Sequence, residues 1–244
     1  MNSNKRSLLA FLSIFMCVFT IVNAQIEDGV YFFDSENESH ELKIDNEYFI
    51  YTTYEKSPSK FIRTLGGFAQ VEKTSSGENL MVLLEFNSAY EKDSVGQLSI
   101  PMRIEGEKLY LNWFDKLEFE LAAENTQDLD GQWLFATRGP DEGQDRRGEA
   151  NTRKTLKFLV DGRFQWIAYD TDGMQFKGTG GGSYTSMDSL YTENIEFFSK
   201  DDSRVGASLE FNYEIKGEDW HNTGNNSKGK PMYEIWGRRD TSDQ

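Results

Sequence analysis

The sequence predicts an all-β protein made of two tandem small antiparallel β-barrels behind a signal peptide. Three observations lead there. First, apolar residues recur at every second position and not at helical spacing: Leu42, Ile44; Tyr48, Ile50; Leu156, Phe158, Val160; Phe164, Trp166, Ala168; Leu209, Phe211, Tyr213, Ile215. Period two is the signature of strands with one face buried. Second, turn-forming pairs punctuate these runs: Asp45-Asn46, Ser76-Gly77, Glu105-Gly106, Asp161-Gly162, Asp172-Gly173 and Lys216-Gly217. Short alternating strands joined by such turns read as a sandwich or barrel. Third, the chain resembles itself.

The self-similarity runs through four blocks in the same order. Leu42 to Phe49 corresponds to Lys157 to Gln165, with one residue slipped before the turn. Phe61 to Gly67 matches Phe176 to Gly182. Glu85-Phe86-Asn87-Ser88 matches Glu196-Phe197-Phe198-Ser199, each followed by a Val-Gly. Ile104-Glu105-Gly106-Glu107 matches Ile215-Lys216-Gly217-Glu218. The blocks define two repeats, residues 25–123 and 129–244, joined by the polar stretch Ala123 to Asp128. A repeat of about 100 residues is too long for a solenoid unit, so each should be a complete small barrel that hides its own strand edges. The Asn and Gln of the joining stretch have no apolar side chain to bury. A protease-sensitive link between separately folding units is therefore expected there.

The amino terminus sets the compartment. Lys5 and Arg6 precede an apolar run from Leu8 to Val22, and Val22-Asn23-Ala24 offers small residues for cleavage before Gln25. Residues 1–24 read as a secretory signal peptide, too short in its apolar part for a membrane span. Met16 before Cys17 speaks against lipoprotein processing. Cys17 is the only cysteine, so the mature chain has no disulfide and no thiolate chemistry. A secreted or periplasmic location is expected. The whole chain carries 26 basic and 41 acidic residues, net −15, and loss of Lys5 and Arg6 takes the mature protein to −17. Phosphate backbones and anionic membrane surfaces would be repelled, so neither nucleic acid nor a stable membrane attachment is expected.

The second repeat opens on Gly131-Gln132-Trp133, continues through Phe164-Gln165-Trp166, Gly180 to Thr185 and Tyr191 to Phe197, and closes on Glu234-Ile235-Trp236-Gly237-Arg238. With these motifs in this order it resembles the bacterial secreted lipocalin-like domains of the calycin superfamily. The resemblance covers nearly all of residues 129–240 and implies an antiparallel barrel of eight to ten strands with a cavity for a small, partly apolar ligand. It also implies that Arg238 lies over Trp133 as a cation–π plug closing one end, with Arg239 as the substitute if the register slips. The first repeat departs from the pattern. Gly29-Val30-Tyr31 stands in place of Gly-x-Trp, Leu117 to Leu121 lacks the Trp and Arg, and there is no counterpart of the long connection from Arg138 to Lys154. Ligand binding is accordingly expected of the second barrel alone, with that connection as a lid or a surface loop.

Candidate ligand-binding residues are Trp166, Tyr184, Glu196, Trp220 and Trp236. Large aromatics inside a small barrel either fill it or line a pocket. Glu196, if it faces inward, needs Arg163 or a ligand cation as partner, because an unpaired buried charge is costly. His40 and His221 are the only histidines and occupy non-equivalent places in the repeats. No His spacing suits a metal, and no Gly-x-Ser-x-Gly elbow accompanies His221. Gly180-Gly181-Gly182 is followed by strand-forming residues, so a turn or bulge is expected rather than a phosphate loop. Paired carboxylates are too abundant for any one pair to be informative. Asn37-Glu38-Ser39 and Asn225-Asn226-Ser227 fit the glycosylation pattern, relevant only in a eukaryotic host. The leading expectation is a non-enzymatic binding protein without cofactor or metal. The alternative is a structural or interaction module whose filled barrels bind a protein or glycan by their surfaces.

Overall fold

Residues 25–113, 116–226 and 228–239 are described in the computed structural model. The expected signal peptide, with Lys5, Arg6 and Cys17, lies outside the described residues. The first barrel is built from β1 (Gly29–Asp34), β2 (Glu38–Asp45), β3 (Tyr48–Lys56), β4 (Ser59–Thr74), β5 (Gly77–Asn87), β6 (Gln97–Glu105), β7 (Lys108–Asn112) and β8 (Lys116–Leu121). The second comprises β9 (Gly131–Arg138), β10 (Arg153–Val160), β11 (Arg163–Asp170), β12 (Gln175–Met187), β13 (Leu190–Phe198), β14 (Ser208–Lys216), β15 (Asp219–Asn225) and β16 (Pro231–Arg238). Each strand runs antiparallel to the next. Closure comes from β8 on β1 (Phe32 opposite Glu120) and from β16 on β9 (Arg238 opposite Trp133). Both barrels therefore have eight strands and no free edge, which removes the need for protective edge charges.

The repeat extends to the irregularities of the backbone. Bulges fall at Thr53/Tyr54 of β3 and at Ala168/Tyr169 of β11, and again at Gly66/Gly67 of β4 and Gly181/Gly182 of β12. The glycines are required at the second pair. A Cβ on Gly67 would run into the Leu83 carbonyl oxygen, and one on Gly182 into that of Asn194. Across from these bulges, Gly67 pairs with Leu84 and Gly66 with Phe86, while Gly182 pairs with Ile195 and Gly181 with Phe197. Glu85 and Glu196 are the extra residues. The alternation slips there, so Glu85-Phe86 and Glu196-Phe197 both leave the barrel interior.

Those outward pairs meet the other barrel. Phe86 packs on Tyr169 (centroids 5.2 Å apart) and Phe197 stacks on Tyr54 (4.9 Å), while Phe61 and Phe176 lie parallel at 6.2 Å. Tyr54 and Tyr169, Phe86 and Phe197, and Phe61 and Phe176 are equivalent positions of the two repeats, so this is the contact pattern of a two-fold dimer within one chain. A buried apolar cluster joins Tyr48, Ile50 and Phe86 to Leu134, Leu156, Phe158, Ile167 and Tyr169.

The seam also buries charge. Arg163 holds Glu41 at 2.8 Å and Glu196 at 2.6 Å, and Glu41 takes Lys43 at 2.6 Å. Gln165 Oε1 accepts from Lys43 and Thr52, and its Nε2 donates to Thr64 and Thr179. At the other end Glu85 binds Arg239 (2.9 Å) and Lys154 (3.1 Å) and accepts from the hydroxyls of Tyr48 and Tyr169. The stretch from Ala123 to Asp128 is not loose. Asn125 N–H donates to the Asp161 carboxylate, Asp128 N–H to the Ser186 carbonyl, and Ser186 N–H to Gln127.

Separating the barrels would expose this apolar cluster and break ion pairs between them. In place of the autonomous folding that the linker composition suggested, residues 129–244 produced alone should be less stable than the whole mature protein and prone to aggregate. A lone second barrel melting as cooperatively and as high as the whole protein would show that the seam contributes nothing.

Arg163→Ala should cost about 3–5 kcal/mol in urea unfolding, because it strands the buried carboxylate of Glu41 beside Lys43 alone. Burial by itself would raise the Glu41 pKa, but Arg163 and Lys43 outweigh it and hold it at about 2 against an ordinary 4.5. A carboxyl lowered by folding contributes stability in full above its unfolded value and loses it as pH falls through the folded one. Stability should therefore decline between about pH 4.5 and 2, and Glu41→Gln should flatten that decline when unfolding is measured as a function of pH.

Candidate functional site: the interior of the second barrel

The two barrels share a backbone plan but not an interior. Counted from matched turns and bulges, inward positions correspond one to one. Leu42 and Lys157 each precede the hairpin pair (Asp45 with Tyr48, Val160 with Arg163) by three residues. Val82 and Glu193 each stand two before the residue facing the glycine bulge. Leu111 and Asn222 each follow the next matched turn by three, and directly across from them lie Leu117 and Glu234. The first barrel thus fills these four positions with aliphatic side chains that join its core. The second fills them with an ammonium, two carboxylates and an amide. Lys157, Glu193, Asn222 and Glu234 all line one cavity of about 310 Å³.

The rest of the lining is largely apolar: Trp166, Ile195, Phe198, Leu209, Phe211 and Trp236 among others, with Arg204 and Asn226 contributed by connections at one end of the barrel. Phe198 points inward because the bulge at Glu196 restores the inward phase one residue later. Gly180, opposite Phe198, leaves room where a Cβ would meet both the Phe198 and the Trp166 rings.

Lys157 is enclosed rather than offered. Its Nζ lies 2.7 Å from Glu193 Oε1 and 4.7–5.0 Å from the ring centroids of Trp220, Tyr191 and Trp236. An ammonium over several ring faces gains cation–π attraction, stronger where water is excluded. The Tyr191 hydroxyl donates to the same Glu193 oxygen at 2.8 Å. Burial, followed by the Glu193 charge, pushes the Tyr191 phenol well above its ordinary pKa, so it remains a donor. Asn222 is different. It is fully buried, and neither its Nδ2 nor its Oδ1 has a hydrogen-bond partner; the indole N–H of Trp236 is likewise unpartnered. Buried polar atoms are nearly always satisfied, so an amide bordering a cavity with both atoms unpaired stands out among the lining residues.

The expected site residues divide. Trp166 and Trp236 line the cavity. Trp220 is fully buried behind it, stacked on Trp236 at 5.9 Å and edge-on to Trp133 at 5.7 Å. Tyr184 packs edge-on to Tyr191, and its hydroxyl donates to Asp130, so it supports the wall without reaching the cavity. Glu196 is corrected: the bulge turns it out of the barrel, where Arg163 and Tyr54 hold it in the seam. At the opposite end Arg238 sits 4.8 Å over the Trp133 ring and donates to the Asp130 carbonyl, while the Trp133 indole donates to Leu129. Gly131 makes space for that guanidinium, since any Cβ there would collide with it. Arg239 instead enters the seam, over the rings of Tyr48 and Phe68.

The connection from Arg138 to Lys154 contributes no residue to the cavity lining. Arg146 is drawn to Asp219, Arg147 packs over Phe135, and Glu149 joins Lys154 and Arg239. His40 pairs with the Tyr51 hydroxyl and His221 with that of Tyr233. Among the described residues no group of three His, Cys, Asp or Glu side chains is placed to hold a metal.

Sequence reasoning passed over Lys157, Glu193, Asn222 and Glu234. The signal was present in the repeat itself: aligning the halves at their turns sets each against Leu or Val. No protein-family model and no curated protein matches this sequence, so the functional reading rests on this geometry.

The first barrel supplies a control for the buried pair. Lys157→Leu alone leaves Glu193 with only Tyr191 and should destabilise by about 3–5 kcal/mol. Lys157→Leu with Glu193→Val restores the first barrel's residue types and should stay within about 1–2 kcal/mol of wild type, the remaining cost being the lost acceptor of Tyr191. Urea unfolding of the three proteins checks the coupling; additive losses would show that the two side chains do not act as a pair.

Proposed function

We propose that this protein is a secreted, non-enzymatic binding protein of the lipocalin-like, calycin type, which holds a small, partly apolar molecule in its second barrel. One observation carries the reading: four interior positions that the same fold fills with aliphatic residues in the first barrel are polar in the second and converge on a cavity. Packing does not demand them, since replacing a buried ion pair by apolar groups is often neutral or stabilising. The cavity, at about 310 Å³, falls at the small end of ligand pockets, which span roughly 300–1,000 Å³, and has their usual make-up of apolar walls with a few convergent polar groups. The first barrel, with its aliphatic interior, serves in this reading as a structural partner and not as a second binding site.

The test is titration of the mature protein with N-phenyl-1-naphthylamine, a neutral apolar probe whose emission rises on burial. Saturable one-to-one binding with a change in tryptophan fluorescence is expected. Trp166 is only half-buried, against Phe198, so Trp166→Ala should abolish or strongly weaken binding while costing less than the about 3–5 kcal/mol of a packed core tryptophan. Trp133→Ala, at the plugged end, should cost that full amount. A large stability loss in Trp166→Ala with unchanged probe affinity would make Trp166 mere filling and sink the proposal.

A further inference from the structure

The polar groups of the cavity also bear on what the ligand must be. Two cations line the cavity: Arg204, on the connection between β13 and β14 at the barrel end, and Lys157, which is already ion-paired with Glu193 at 2.7 Å and surrounded by rings. What stands open lies on the neighbouring strands. Asn222, fully buried, presents one unpartnered donor and one unpartnered acceptor. Glu234 faces it directly across the β15–β16 ladder, lines the same cavity, and adds carboxylate oxygens that only accept. The Trp236 indole N–H, also unpartnered, adds a donor.

Resting on the binding reading above, we propose that the ligand carries a hydrogen-bond-donating, non-anionic head group (a hydroxyl, amide or amine) seated between Asn222 and Glu234, with its apolar body along Trp166, Ile195 and Phe198. Such a head donates to Glu234 or Asn222 Oδ1, and a hydroxyl or amide also accepts from Asn222 Nδ2 or Trp236. A carboxylate or phosphate has no hydrogen to give these acceptors and would bring a second anion against Glu234. The first barrel, with Leu111 and Leu117 at the equivalent positions, has no such seat.

The experiment is displacement of N-phenyl-1-naphthylamine from the mature protein at pH 7.5 by four compounds sharing one eight-carbon chain: octan-1-ol, octanamide, octylamine and octanoate. The three donors should displace the probe at least about tenfold more strongly than octanoate, the scale of one buried acceptor left unmade. Glu234→Gln, which keeps the shape and removes the charge, should raise octanoate toward octanamide. Asn222→Leu, the first barrel's own residue type, should erase the preference for octanamide while near-ultraviolet circular dichroism stays native. Octanoate binding as well as the donors, or a preference unchanged in both variants, would overturn the head-group assignment while leaving the cavity a binding site. Failure of the probe and of all four compounds to bind would overturn the binding reading itself.

Discussion

The bulge that sets a glycine pair against a Glu-Phe pair is the constraint on which most of this structure depends. At Gly66/Gly67 and at Gly181/Gly182 one residue is added to the facing strand, and a strand's two-residue period cannot absorb an odd insertion without changing faces. Everything before the bulge on β13 (Tyr191, Glu193, Ile195) faces inward at odd positions, whereas Phe198 faces inward at an even one. The residues caught between, Glu196 and Phe197, are forced outward together. One backbone device thereby supplies the cavity with a ring and the barrel exterior with a carboxylate and an aromatic. Because both repeats carry it, both exteriors acquire the same pair, and two like surfaces can meet about a pseudo-two-fold axis.

The seam that results is held by paired charges as well as by apolar area. Glu41 and Lys43 are wholly buried, an arrangement that costs several kcal/mol per ion in desolvation. It is tolerated because each has its partners: Arg163 and Lys43 for Glu41, Glu41 and Gln165 for Lys43. Gln165 uses its amide fully, accepting from two groups and donating to two. Such a network fixes the angle between the barrels more strictly than greasy contact would, since a small slide leaves charges unpaired. Within the cavity the logic is reversed. There Lys157 and Glu193 satisfy one another, while Asn222 and Trp236 keep unpaired atoms. The seam has unpaired buried atoms of its own, Arg239 Nε and Gln132 Oε1 among them, but there they lie between packed surfaces, whereas Asn222 and Trp236 border a cavity.

Much of the fold was legible in the sequence because alternation and turn chemistry act locally. The two-residue turns at Asn46-Glu47 and Asp161-Gly162, all four residues at positive φ, pin the registers on which the rest is counted. Trp166 and Trp236 were legible as cavity candidates because the inward phase of β11 and β16 can be read from their neighbours. Glu196 was not: parity counted from Tyr191 is right until the bulge, and the bulge is visible only once the glycines are paired with their partner strand. The seam was hidden for another reason. Glu41, Lys43, Gln165 and Thr179 look like the solvated side of a half-buried strand, and nothing local distinguishes a polar side chain facing water from one facing a second barrel. Lys157 was hidden because the alternation of β10 (Leu156, Phe158, Val160) follows the seam and leaves Lys157 on the face that pattern gives to solvent, while Glu193 is a charged residue at a position that Tyr191 and Ile195 assign to the core.

These two surfaces are not independent, because they are the two sides of the same strands. On β10, Lys157 faces the cavity while Leu156 and Phe158 enter the seam; on β11, Trp166 faces inward while Gln165, Ile167 and Tyr169 face the first barrel; on β13, Glu193 and Phe198 face inward while Glu196 and Phe197 face outward. A barrel with a cavity forfeits part of its own packing, since its wall lacks contacts on the inside. The first barrel supplies contacts from the outside, setting a body with an aliphatic core against the strands that carry Lys157, Trp166 and Glu193. On the binding reading proposed above, the first barrel has a physical task of its own: its contact would hold the cavity wall in place, so that Asn222, Glu234 and the indoles need not be ordered anew when a guest arrives.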